Sequence, residues 1–311
     1  MTRVLLINAD STGLPPLSLI KISTWHKRQG DEVSFNMKNP DIVYGCVIFK
    51  RNKHLADGWR FMYPNAKVIV GGSGYDLHKE LPPEVEAMPP DYSLFPEMDY
   101  SMIHTSRGCI RHCYFCVVPE KEGRYRRVEK WKDGINPNFK KAKLLDNNWY
   151  ADKEWFMETS AYFRDNKIAI DVTQGMDIRL LDEEIAKRLK ELTIYPKIHF
   201  AFDDWNYAEK VKEGIDILNK AGIKVRNEVL FFVYCNGPEQ VEDAAARADQ
   251  LKEWGALPMI MNNIDVPKTQ EMIDLYRYCM PWNFWAVKSW NDYSRKYQAL
   301  QRKMICLRKK K

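Results

Sequence analysis

Beyond residue 100 the chain alternates between short apolar runs and longer stretches of helical periodicity, and few folds accept that pattern. Strand-like runs lie at 101–105, 143–146, 168–173, 197–202, 224–234 and 257–261, with helix-like stretches at 152–164, 182–191, 206–221, 238–254 and 270–278. Asp182 and Asn206 stand where helix N-caps are expected, and Gly222 and Gly255 follow helix ends. Strands that alternate with helices pair in parallel, because each crossover returns the chain to the same end of the sheet. Six such strands predict an α/β fold, a partial (β/α)6 TIM-like barrel over 101–281, whose functional residues belong at the C-terminal strand ends. The first crossover, 120–141, is too rich in Gly, Pro and Lys to read as a helix.

The first 80 residues repeat the alternation on a smaller scale. Strand-like runs at 4–8, 32–36, 42–48 and 67–70, with a helical stretch at 17–25, predict a small Rossmann-like parallel layer. Residues 81–100 form a linker, since the five prolines between positions 81 and 96 fit neither element type. No apolar run approaches the ~20 residues that a membrane span needs. The apolar stretch after Met1 is too short for a signal peptide, so a cytoplasmic location is expected.

Seven cysteines are too few for a disulfide scaffold, and their distribution is uneven. Cys46, Cys235, Cys279 and Cys306 are scattered and read as small buried hydrophobes, whereas Cys109, Cys113 and Cys116 sit together after the first barrel strand. Thiolates bind zinc and iron–sulfur clusters alike. A structural zinc ion wants four protein ligands, which would recruit His104 or His112, while three thiolates would leave one iron of a cubane open to a small molecule.

The segment Thr105-Ser106-Arg107-Gly108-Cys109-Ile110-Arg111-His112-Cys113-Tyr114-Phe115-Cys116 resembles the radical S-adenosylmethionine superfamily in its C-x3-C-x2-C spacing, in the aromatic Phe115 before the third cysteine, and in its position after a first barrel strand. The resemblance implies a 4Fe-4S cluster on Cys109, Cys113 and Cys116, and S-adenosylmethionine bound at the open iron. It also implies a 5'-deoxyadenosyl radical that abstracts a substrate hydrogen atom, and a reductant such as flavodoxin or ferredoxin. Asp146, Asn147 and Asn148 fall where the superfamily contacts the amino group of S-adenosylmethionine, although Asp-Asn-Asn replaces the commoner Gly-Gly-Glu. Gln174 and Asp203, at later strand ends, are further candidate contacts to cofactor or substrate. Arg179 is suited to a carboxylate or phosphate, with Asp177 orienting it. For each of these polar residues, an ordinary turn or helix cap is the competing reading.

The N-terminal layer is similar to the cobalamin-binding domains that precede many such enzymes, but it has no D-x-H-x-x-G motif and is short. It reads as a degenerate cap, with cobalamin a secondary expectation and the 71–74 glycine loop a weak phosphate signal. Residues 108–119 also resemble methylthiotransferases. Those enzymes need three further cysteines in the N-terminal domain, where only Cys46 is present.

The 282–311 tail is basic and aromatic. From Tyr276 onward ten Lys and Arg face one acid, Asp292, with Trp282, Phe284, Trp285, Trp290, Tyr293 and Tyr297 interleaved. Nucleic acid is one reading of that pattern, and aromatics closing the end of the barrel are the other. Two further readings of the whole chain are a zinc-dependent nucleic-acid-binding protein and an iron–sulfur protein that only senses redox state.

Overall fold

The computed structural model describes residues 1–10, 15–263 and 265–294. The chain forms two compact units, Met1–Asp146 and Asn147–Lys311. Compactness therefore divides it after the second predicted barrel strand and not within the 81–100 linker.

In the first unit, β1 (Arg3–Asn8), α1 (Leu17–Arg28), β2 (Glu32–Ser34), β3 (Ile42–Cys46), α2 (Lys53–Met62) and β4 (Lys67–Gly71) build a four-stranded parallel sheet of order β2-β1-β3-β4. Val4, Leu5, Leu6 and Val43 are buried, as expected of strands covered on both faces. Strand β2 is shorter than the predicted run because the Ser34 hydroxyl accepts the Asn36 N–H and turns the chain. A one-turn helix α3 (Pro83–Glu86) lies in the proline-rich segment. Next come β5 (Tyr100–Ile103), β6 (Ser106–Arg107), α4 (Val118–Lys121), β7 (Arg126–Arg127) and β8 (Lys141–Leu144). Strands β5 and β8 are parallel, and β6 and β7 form a short antiparallel pair between them in sequence.

The second unit holds α5 (Lys153–Asp165), β9 (Ala169–Asp171), α6 (Glu183–Glu191), β10 (Ile198–Ala201), α7 (Ala208–Lys220), α8 (Val225–Glu228), β11 (Val229–Tyr234), α9 (Val241–Glu253), β12 (Pro258–Met261), α10 (Gln270–Tyr278) and α11 (Pro281–Phe284). Strands β10, β11 and β12 form a parallel sheet in sequence order, and single bridges tie Ile170 to Ile194 and Met176 to Phe200. The predicted 224–234 strand begins with helix α8, because the Glu228 carboxylate accepts the Lys224 N–H and stabilises a turn where the residues are polar. Strand β9 stops early for a related reason, since Asp171 accepts the Thr173 N–H. Helices α6, α7 and α9 bury one stripe each, including Leu189, Ile215 and Leu251. Parallel α/β architecture thus holds in both units.

Glycine at position 45 lets α2 lie against β3. A Cβ there would fall 2.0 Å from the Trp59 ring, and Trp59 is buried on this strand. Gly45→Ala should therefore cost about 1–3 kcal/mol by overpacking. Urea unfolding followed by circular dichroism would read this as a lower midpoint, and an unchanged midpoint would contradict the packing described.

Candidate functional site

The cysteine loop begins where β5 ends, and a single carboxylate fixes its base. Asp146 Oδ1 accepts the Thr105 N–H at 2.9 Å, and Oδ2 accepts the Thr105 hydroxyl at 2.7 Å together with the N–H and hydroxyl of Ser106. Burial pushes this carboxyl upward, against the pull of those hydrogen bonds. Both carboxylate oxygens are thereby engaged by the protein. Asp146 is thus a clamp on the base of the loop.

Beyond the clamp the chain passes through β6 to Gly108. This residue has φ of +74°, and a Cβ on it would lie 2.2 Å from the Arg124 carbonyl oxygen, so the close approach requires glycine. The Gly108 N–H donates to Glu122 at 2.9 Å, and the Arg107 Nε lies 3.7 Å from the same carboxylate. Arg107 also donates to His104 Nε2 at 2.7 Å. Burial, then the Arg107 charge, holds His104 well below its ordinary value, so its ring stays neutral as an acceptor for arginine. That contact occupies one of the two ring nitrogens of His104, and His112 is exposed.

The cysteines follow directly. The Cys109 N–H donates to the Gly123 carbonyl at 3.3 Å, the Cys109 sulfur accepts the Arg111 N–H at 3.4 Å, and the Cys116 N–H donates to the Cys113 carbonyl at 3.0 Å. Cys109 is half-buried, whereas Cys113 and Cys116 are exposed. Phe115 is half-buried and meets Tyr114 edge-on at 5.1 Å. Among the described residues no three Cys, His, Asp or Glu side chains are grouped so as to hold a metal ion, so the thiols share one loop without forming a closed site. In chemistry and number the donor set fits a thiolate-bound cluster: three soft ligands within eight residues, two of them exposed, on a loop anchored at both ends.

In the second unit the candidate polar residues tie neighbouring loops together. Asn148 is buried and its Oδ1 accepts the Asp177 N–H at 3.2 Å, while Asn147 is half-buried. Asp177 takes the Arg179 guanidinium at 2.6 and 3.0 Å, the orienting contact expected from the sequence. That guanidinium lies over the Tyr207 ring at 4.5 Å. The Tyr207 hydroxyl accepts the Asp203 N–H, and Asp203 Oδ1 accepts the Tyr234 N–H, both at 2.7 Å. Burial pushes the Asp203 carboxyl up to about 6, although the Tyr234 N–H, Arg247 and Arg179 all favour its charged form. Further along, Asn236 accepts the Asn263 N–H at 2.9 Å. Gln174 is exposed beside Gly175, whose φ of +91° makes the turn. Asp204 is an ordinary cap, accepting the Asn206 N–H.

Sequence reasoning missed Tyr207 and Arg247. Arg247 carried a readable signal, because it lies in the apolar stripe of α9 with Ala244, Ala248 and Leu251 and is itself buried.

The N-terminal layer closes its own sheet edge. The Asp10 carboxylate accepts the backbone N–H groups of Ile48 and Phe49 and the Asn52 amide. A Cβ on Gly72 would meet the Val47 carbonyl oxygen at 2.4 Å, and one on Gly74 would meet the Phe49 backbone at 2.6 Å. These glycines serve packing of chain on chain. Residues 11–14 of the opening segment lie outside the described residues. Cys46 is buried and its thiol is pushed up by burial, as suits a core residue.

The tail aromatics pack inward. Phe284, Trp290 and Tyr293 are buried around Tyr278, with centroids 5.4, 5.7 and 5.4 Å from its ring, and Trp285 lies under Arg226 at 4.1 Å. Trp282 stays 71% exposed. Arg295, Lys296, Tyr297, Arg302, Lys303, Cys306 and residues 308–311 lie outside the described residues. Among the described residues no helix is long and apolar enough to cross a membrane.

No protein-family model matches the chain. Among curated proteins it is similar to the ribosomal protein uS12 methylthiotransferase RimO of several bacteria. The enzyme of Nitrosomonas eutropha is 27% identical over 173 residues, covering 52% of this chain and 36% of the relative. That of Methylorubrum extorquens is 24% identical over 161 residues (46% and 33%), and that of Cellvibrio japonicus 24% over 181 residues (54% and 38%). The chain thus matches little more than a third of the length of these relatives. The three-cysteine loop and the similarity to these enzymes together support an enzyme of the radical S-adenosylmethionine class, one that uses S-adenosylmethionine and a 4Fe-4S cluster.

Proposed function

We propose that this chain binds a 4Fe-4S cluster through Cys109, Cys113 and Cys116 and uses it to cleave S-adenosylmethionine for hydrogen abstraction from a substrate. The observation that carries this reading is the single anchored loop presenting three thiols after β5. When bound, the cluster supplies one electron to the sulfonium of S-adenosylmethionine and so yields methionine and a 5'-deoxyadenosyl radical. The chain's own part is to fix the ligand loop through Asp146 and Glu122 and to offer polar contacts at strand ends. Asn147, Asn148, Gln174 and Asp203 are the contacts we assign to S-adenosylmethionine or substrate. Asn148 has one side-chain oxygen already committed to Asp177, so its remaining polar group is the NH2 donor. Phe115, half-buried beside Tyr114, is the loop aromatic we assign to the cofactor site. We read β5, β8, β9, β10, β11 and β12 as the strands of a partial (β/α)6 barrel, with an external one-electron reductant to complete the reaction.

The relatives are named for methylthiolation of a ribosomal protein. We do not carry that reaction over: besides the loop cysteines the first unit has only Cys46, which is buried, where methylthiotransferases need three further cysteines. Nor do the aromatics described in 282–294 favour a nucleic-acid substrate, since most of them are used in packing.

Cys113→Ala, purified and reconstituted without oxygen, should lose the brown absorbance near 400 nm and form no 5'-deoxyadenosine with dithionite. Retained cleavage would overturn the assignment, and a colourless zinc-bearing wild type would favour the zinc reading. A second variant tests the clamp. Asp146→Asn turns an NH2 group toward the Ser106 N–H, leaving a buried donor unsatisfied at about 1–3 kcal/mol. Iron retained after desalting should fall along with the urea midpoint, and full iron retention would argue that loop anchoring is unimportant.

A further inference from the structure

Arg247 is the most deeply buried charge near the strand ends of the second unit, and the reading of Asp203 as a ligand contact does not explain it. Its side chain is 3% exposed on α9. Nη1 donates to the Phe202 carbonyl at 2.8 Å and Nη2 to the Tyr234 carbonyl at 3.0 Å. Nε and Nη2 also reach Asp243 at 3.0 and 2.8 Å. The two carbonyls bracket Asp203: Phe202 precedes it in the chain, and Tyr234 is the residue whose N–H the Asp203 carboxylate accepts. One guanidinium thus pins both strand ends that aim this carboxylate.

We propose that Arg247 is a positioning residue for Asp203, locking the ends of β10 and β11 so that the carboxylate is presented, charged, to a bound ligand. The inference rests on the reading above that Asp203 contacts S-adenosylmethionine or substrate. A purely structural arginine would need only to tie α9 to the sheet, and a charge-conserving replacement that cannot hold both carbonyls would leave ligand affinity unchanged. The groups facing Asp203 are few. Its own loop supplies Tyr207 and the exposed Asp204, whose side chain caps Asn206. The loop after β9 supplies Arg179, already paired with Asp177, and α9 supplies Arg247 with its partly exposed partner Asp243. Strand β11 supplies a backbone N–H. With burial driving the carboxyl up to about 6, each nearby cation matters for keeping it ionised at neutral pH.

The sign follows directly. If the ionised carboxylate is the binding form, affinity is flat above the Asp203 value and falls as pH drops through it. Removing a cation raises that value and moves the break to higher pH. The test is anaerobic equilibrium dialysis of S-adenosylmethionine against cluster-loaded protein from pH 5 to 8. Titration of the ligand itself is common to all variants and cancels in the comparison. Wild type should break near pH 6. Arg247→Gln, which keeps an amide donor but no charge, should move the break up by about 0.5–1 unit. Arg247→Lys, which keeps the charge but not the fork that holds both carbonyls, should break where wild type does yet bind S-adenosylmethionine more weakly above the break. Asp203→Asn should bind weakly, with no break.

Wild type that fails to bind S-adenosylmethionine would overturn the functional reading itself. Wild type and Asp203→Asn binding alike would remove Asp203 from the contacts and the proposal with it. A wild-type break left in place by Arg247→Gln would overturn the role of Arg247 alone. Should the glutamine variant fail to fold, the lysine variant decides: weakened binding at an unshifted break supports the proposal, and wild-type affinity overturns it.

Discussion

The cysteine loop depends on a buried carboxylate that accepts from two successive residues. Asp146 lies just past the end of β8, and Thr105 and Ser106 just past the end of β5, some forty residues earlier. Strand pairing brings the two ends side by side, and the carboxylate converts that adjacency into a fixed starting direction for the loop. A loop carrying three thiols has no hydrophobic core of its own to define its shape. Its geometry comes instead from charge-assisted hydrogen bonds at the base and at Glu122, together with a glycine where the backbone crosses Arg124. The stem of the loop is thus held by the unit that carries it.

The strand ends of the second unit use polar groups differently. There each candidate residue joins one loop to the next: Asn148 to Asp177, Arg179 to Tyr207, Asp203 to Tyr234, Asn236 to Asn263. Such links order the rim and also consume hydrogen-bonding capacity. Capping and binding are therefore not rival explanations for these residues. An asparagine that spends one atom on its neighbour's backbone keeps the other, and its structural bond is what aims the remaining group.

Much of the fold was legible in the sequence, because buried parallel strands are continuous apolar runs and amphipathic helices have their own period; β1, β3, β10, β11 and β12 were all readable in this way. The strand ends were less legible. Lys224 to Glu228 looked like the start of a strand until a side chain four residues on closed a helical turn. The cysteine spacing marked the loop as a thiolate site, open to zinc or to a cluster until the resemblance is added. The partners of Asp146, by contrast, are distant in sequence, so its position at a strand end was readable and its role was not. Arg247 could have been found as a charge within an apolar stripe. The aromatics of 282–294 were readable as a group, but only packing around Tyr278 separates closure of the fold from stacking on bases.

At the centre of the account are three thiolates that would hold a cluster with one iron left for the amino and carboxylate groups of S-adenosylmethionine. The most direct measurement is the electron paramagnetic resonance spectrum of the anaerobically reconstituted, dithionite-reduced protein, recorded before and after S-adenosylmethionine is added. The account predicts a reduced-cluster signal whose g values shift on addition. A cluster signal that S-adenosylmethionine leaves unchanged, or no cluster signal at all, would contradict it.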